Sequence, residues 1–189
     1  MVDKITPLQF ANRSASLNKP ALSAVQIGQA MTDHAKTLVL GIGNVLLQDE
    51  GAGVHAIRLL ADFTAQREDI ELMDGGTLSF TLACSIEDTD KLIVIDAANY
   101  DGQPGTTKVF EGGQMDDFIG SNRRLSVHEV GLIDLFAIAH LAGRLPKRRA
   151  LIGIQPQDIA WGDTPSLPVA GAIRVACDQA LRLIEDWQS

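Results

Sequence analysis

The 189-residue, 20.3 kDa chain is long enough to bury the core of one full-sized domain, and its 46% hydrophobic and 21% charged residues exclude a disordered or fibrous class. A formal net charge of −8 and a pI near 4.9 argue against nucleic acid as a partner, because a general nucleic-acid binder needs a basic face. No run approaches the roughly 18 apolar residues of a membrane span, and the N-terminus lacks signal-peptide order, so membrane insertion is not expected and a cytoplasmic location is.

Residues 1–36 are polar and aperiodic and read as a loosely held arm ahead of a single domain at 37–189. Pro20 suits the first turn of a weakly amphipathic helix over ALSAVQIGQAMTDHA, with His34 at its end and no role assigned to it. Thr37 to Leu40 is a short apolar strand that runs into a tight turn, Gly41-Ile42-Gly43-Asn44. Asp49-Glu50 then opens a helix whose inner face carries Val54, Ile57, Leu60 and Ala61. Ile70 to Met73 is a second strand ending in Asp74-Gly75-Gly76-Thr77, and a short helix is expected over Phe80 to Ile86. Lys91 to Asp96 is a continuous apolar run that stops at a carboxylate, the pattern of a strand covered on both faces.

A loop over Asp101 to Gly105 leads to Thr106–Phe110, expected as an antiparallel edge strand, and then to a loop with Gly112-Gly113 and Arg123-Arg124. Ser126-Val127-His128-Glu129 precedes a helix with Leu132, Leu135, Phe136 and Ala139 inward, ended by Gly143 and Pro146. Lys147-Arg148-Arg149 reads as a solvated approach to a last core strand at Ala150–Ile154, and a helix from Val169 to about Trp187 closes the chain. Strands alternating with helices predict an α/β fold, a three-layer α/β/α sandwich around a mostly parallel five-stranded sheet with one antiparallel edge strand. Cys84 and Cys177 are too far apart in sequence for a paired motif and read as two buried or partly buried thiols.

The polar residues at strand ends carry the chemistry. Open α/β sheets bind ligands beyond the carboxyl ends of their strands, which is where Glu50, Asp74 and Asp96 fall. Glu50, Asp96 and His128 together offer two carboxylates and an imidazole, a donor set suited to a borderline divalent ion such as zinc, nickel or iron. Patterning leaves the plainer alternative open, in which Asp74 and Asp96 are turn residues and Glu50 a first-turn acid. Gly41-x-Gly43 is a poor dinucleotide signature, since Leu46 occupies the place of the third glycine. His55 and His140 sit off or beside apolar stripes and read as surface or half-buried residues.

Five blocks, GIGNVLLQDEGAGVHAI, DGGT, LIVIDAANYDGQPGT, SVHEVGLIDLF and LIGIQP, closely resemble the maturation endopeptidases of [NiFe]-hydrogenases, in the same order and over essentially all of 37–189. The resemblance implies an endopeptidase that trims the C-terminal extension of the hydrogenase large-subunit precursor once nickel is inserted, with Glu50, Asp96 and His128 on nickel supplied by the substrate. It implies substrate recognition by Asp74, Gly75, Gly76 and Thr77, with Asp74 also a candidate for a polarising or base role. It further implies a monomer that meets its precursor briefly, and Ile154-Gln155-Pro156 resembles the proteases of membrane-bound uptake hydrogenases. A self-contained metallohydrolase with its own zinc and a non-catalytic nickel-checking chaperone are the competing classes.

Overall fold

A computed structural model describes residues 36–77, 80–121 and 127–188, with side chains in the last stretch from 131 onward. The expected arm and its helix, His34, Arg123-Arg124 and Ser126 lie outside the described residues, as does the His128 side chain. The elements are β1 (Thr37–Ile42), a 3₁₀ turn (Gln48–Gly51), α1 (Ala52–Thr64), β2 (Ile70–Gly76), α2 (Leu82–Glu87), β3 (Lys91–Ala97) and β4 (Thr107–Glu111). They continue with α3 (Gly113–Ser121), α4 (Val127–Leu141), β5 (Arg148–Ile154) and α5 (Leu167–Asp186).

The five strands form one sheet in the order β2-β1-β3-β5-β4, parallel throughout except for β4, which runs antiparallel to β5 at the edge. β3 lies at the centre, so both of its faces are buried, which is why its sequence is a continuous apolar run instead of an alternating one. Ile93, Ile95 and Ala97 pack on one side with α1 and α5, against Val54's neighbours Ala56, Ile57 and Leu60 and against Ala172, Ala176 and Ile184. Leu92 and Val94 face the other side, where Ile86 of α2, Met115 and Ile119 of α3 and Leu132, Leu135 and Ala139 of α4 close a second core. Two apolar layers on one sheet give the expected α/β/α sandwich.

Glycine decides how closely α1 approaches the strands. A Cβ on Gly53 would overlap the carbonyl oxygens of Ile42 and Ile95, and one on Gly41 would overlap the carbonyl of Gly53. Gly43, at φ +141, turns the chain out of β1 where a Cβ would strike the Glu50 carbonyl. The helix start therefore rests directly on strand backbone.

Several expectations are corrected. β1 extends to Ile42, and Glu50 lies in the 3₁₀ turn, with α1 starting at Ala52. Ala61 is exposed, while Ala52 and Ala56 take the inward places beside Val54, Ile57 and Leu60. The expected loop after Gly112-Gly113 contains α3, because Met115 and Ile119, four residues apart, bury one face while Phe118 stacks on Phe110 with ring centroids 4.1 Å apart. Phe80 is exposed ahead of α2, and Cys84 is exposed while only Cys177 is buried. Arg149 does not project into solvent with Lys147 and Arg148; it is half-buried and forks onto Asp116, with Nε to Oδ1 at 2.8 Å, tying β5 to α3.

The α1–β2 connection holds a bidentate pair, Arg67 Nε and Nη2 donating to the two oxygens of Asp69 at 2.7 Å each. That guanidinium holds the Asp69 carboxyl at about 2, below the ordinary 3.8. A carboxyl depressed in the folded state stabilises the fold above its unfolded value and loses that contribution as pH falls from 3.8 through about 2. Asp69→Asn is therefore expected to lose less stability than wild type across that acid window, as measured by denaturant titration at stepped pH. Gly53→Ala is expected to cost at least about 3 kcal/mol in the same assay, because backbone cannot yield as a side chain does. Gly171→Ala, in α5 with nothing within 4 Å of the added methyl, is expected to be neutral or stabilising by up to about 1 kcal/mol.

Candidate functional site

The sheet order reverses between β1 and β3, because β1 leads through α1 to β2 on one side whereas β3 follows on the other. The crevice beyond the carboxyl ends at such a reversal is where parallel sheets take ligands. β1 delivers the 3₁₀ turn with Glu50 to this place, and β3 delivers Asp96.

Asp96 follows Leu92 and Val94 in the two-residue alternation of β3, so its carboxyl faces the layer of α2, α3 and α4. It is 2% exposed, and Oδ1 is buried with no hydrogen-bond partner among the described residues. Burial pushes this carboxyl up to about 8; the Ala97 N–H opposes the rise and the neighbouring Glu50 charge adds to it. Glu50 is itself buried, with 8% exposure. Two acids have thus been placed within electrostatic reach of each other in a water-poor setting, which costs stability unless a cation or proton joins them.

α4 precedes the parallel strand β5 and so begins at the same end of the sheet as the strand tips. His128 lies in its first turn, in the layer that Asp96 faces. Among the described residues no group of three His, Cys, Asp or Glu side chains is placed to hold a metal ion, and the His128 side chain lies outside them. The fit of a cation is carried by the other two residues: Asp96 offers a buried oxygen without a donor, next to a second carboxylate.

Asp74 lies apart from this pair. It is in register with Gly41 and, through Gly41, with Ile95, so it points to the α1 face of the sheet. It is exposed, lies 3.9 Å from Arg58 of α1, and accepts the Gly76 N–H at 2.9 Å. Gly75, Gly76 and Thr77 continue along the same rim, where Gly76 has φ +48 and its carbonyl accepts the Gly43 N–H at 2.8 Å. His55 is half-buried and His140 exposed, the burial that the sequence leads one to expect; burial and Arg58 lower the His55 pKa, and Asp163 opposes them.

Two supporting residues escaped the sequence reading. Asp49 is fully buried and accepts from Gln157 N at 2.9 Å, Asp158 N at 2.9 Å, Ser166 N at 2.6 Å and Ser166 Oγ at 2.9 Å. Burial would raise its pKa, but the N–H groups of Asp158, Ser166 and Gln157 and the Ser166 hydroxyl outweigh that and hold it below the ordinary value. Gln155, at the tip of β5, accepts the N–H groups of Tyr100 and Gly102 on Oε1 and donates to Asn99, fixing the loop that follows Asp96. A signal for Asp49 existed: the loop QPQDIAWGDTPSLP has no ladder to satisfy its amides, so some acceptor had to meet them.

No described helix is long and apolar enough to cross a membrane. A family model described as hydrogenase maturation protease matches residues 54–187. The hydrogenase expression/formation protein HupD of Rhizobium leguminosarum bv. viciae is 37% identical over 153 residues, which cover 80% of this chain and 75% of that protein. The hydrogenase 2 maturation protease of Escherichia coli is 30% identical over 154 residues, covering 80% and 92%. Among solved structures, the hydrogenase maturating endopeptidase HybD from E. coli superposes with a TM-score of 0.73 at 28% identity, over 80% of this chain and 93% of that one. With this sandwich and these relatives, the chain belongs to the hydrogenase maturation protease family.

Proposed function

We propose that this protein cuts the C-terminal extension from a nickel–iron hydrogenase large-subunit precursor, and that Glu50, Asp96 and His128 close on nickel that the precursor already carries. The observation that supports this reading most is the buried oxygen of Asp96, which has no donor among the described residues and lies beside Glu50 at the crevice of the sheet. Family membership supports the peptidase activity.

In this reading the metal is part of the substrate. A divalent ion bound there supplies Lewis acidity toward the scissile carbonyl or a bound water. The chain's own residues hold and orient. Glu50 and Asp96 present oxygens from a 3₁₀ turn and a central strand, both fixed by backbone packing, so little ordering is left to do when the precursor arrives. Asp96 has to give up its proton to become a ligand, and the incoming positive charge favours that loss. Asp74, Gly75, Gly76 and Thr77 form a rim for precursor recognition. The orientation of Asp74 toward Arg58 favours that role over proton transfer at the metal.

The decisive comparison is between nickel-loaded and nickel-free precursor, with cleavage followed by mass spectrometry. Cleavage is expected only with nickel, and Glu50→Gln, Asp96→Asn and His128→Ala are expected to lower it at least about 100-fold while the circular dichroism spectrum and melting point stay near wild type. Cutting of the nickel-free form would turn the account toward a self-contained hydrolase. Binding without cutting would turn it toward a chaperone.

A further inference from the structure

Beside Glu50 the surface is apolar in a way that packing does not require. Leu46 is 55% exposed, Ile159 56% and Trp161 82%. A bridge between Leu47 and Gly162 joins their segments: Gln48 N donates to Gly162 O at 2.8 Å and Gly162 N to Leu46 O at 3.0 Å. In that parallel pairing Leu46 and Trp161 come side by side, two residues ahead of the 3₁₀ turn that carries Glu50.

An irregular loop free to relax would turn a tryptophan inward. Here Asp49 gathers the amides of Gln157, Asp158 and Ser166 around its buried carboxylate, and Ile159 and Trp161 stand on the outside of the loop so held. A stiff display of one indole and two aliphatic side chains has the make-up of a binding hot spot. We propose that Leu46, Ile159 and Trp161 form the docking surface for an apolar stretch of the precursor polypeptide that carries basic residues and lies next to the bond being cut. This rests on the reading that the chain cuts such a precursor at Glu50 and Asp96.

Charge selects the occupant. The segments that build the surface, 44–51 and 155–166, contain no lysine or arginine, while Asp158 and Asp163 stand exposed beside the apolar residues; Arg58, the nearby cation that with Asp163 acts on His55, lies 3.9 Å from Asp74. A second copy of this chain would have to bring the same acids face to face across a two-fold interface, whereas a basic, apolar polypeptide is complementary to them. Leu46 stands just ahead of the turn that carries Glu50, so on the cleavage reading the surface borders the peptide being cut.

The test is steady-state cleavage of nickel-loaded precursor by wild type, Trp161→Ala and the double variant L46A/W161A, with anisotropy of dye-labelled precursor measuring binding directly. The expected result is a KM and a Kd raised about tenfold or more, kcat within about twofold, and an unchanged melting point, since exposed side chains are being removed. Wild-type KM is expected to rise with salt. Unchanged KM and Kd in the double variant overturn the proposal while leaving the cleavage site standing. Weakened binding by W161A from a wild type that binds but never cuts upholds the surface and overturns the cleavage reading instead. A wild-type dimer in sedimentation that W161A abolishes assigns the surface to a second copy and also overturns the proposal.

Discussion

The site depends on a contact between backbones. Gly53, at the start of α1, lies against the carbonyl oxygens of Ile42 and Ile95, and Gly41 lies against the carbonyl of Gly53. With any side chain there, α1 would stand off from the sheet by an atom's width, and the 3₁₀ turn ahead of it would carry Glu50 away from Asp96. Glycine weakens a helix by about 1 kcal/mol relative to alanine. Its use here is explained by the close approach that it permits.

That approach brings together two acids that a stable core would keep apart. Asp96 is the next-to-last residue of a strand whose other fully buried residues are aliphatic, and its carboxyl is pushed up to about 8 by burial and by Glu50. A buried acid with an unused oxygen is a cost to folding. Such costs gather where a ligand later relieves them. Asp49, the residue before Glu50, shows the contrasting use of an acid. It is as deeply buried, yet four hydrogen bonds saturate it and it serves to pin the 157–166 loop.

The fold was legible because its strands are short, apolar and punctuated. The β3 run announces a central strand, and the glycine turn after β1 announces a bend toward the sheet edge. α3 was hidden because only Met115, Phe118 and Ile119 mark its apolar side, too few to show a period beside two glycines. Arg149 looked solvated because its partner, Asp116, is 33 residues away, and charge runs carry no record of such pairings. The position of Asp96 at the carboxyl end of β3 was readable from where the apolar run stops, whereas the 3₁₀ turn that carries Glu50 was not. The 157–166 loop's need for an acceptor was readable as well, but not that Asp49 would meet it, since the amides it accepts lie more than a hundred residues downstream. That Asp74 faces the α1 side of the sheet follows from register, which a single strand cannot disclose.

The most direct test of the central idea is nickel K-edge absorption on a nickel-loaded precursor whose tail resists cleavage, recorded alone and with this protein added. Entry of Glu50 and Asp96 into the coordination sphere predicts additional oxygen donors on nickel in the complex, absent when the E50Q/D96N variant is used. A coordination shell that stays the same on addition of the wild-type protein, under conditions where the complex has formed, would contradict it.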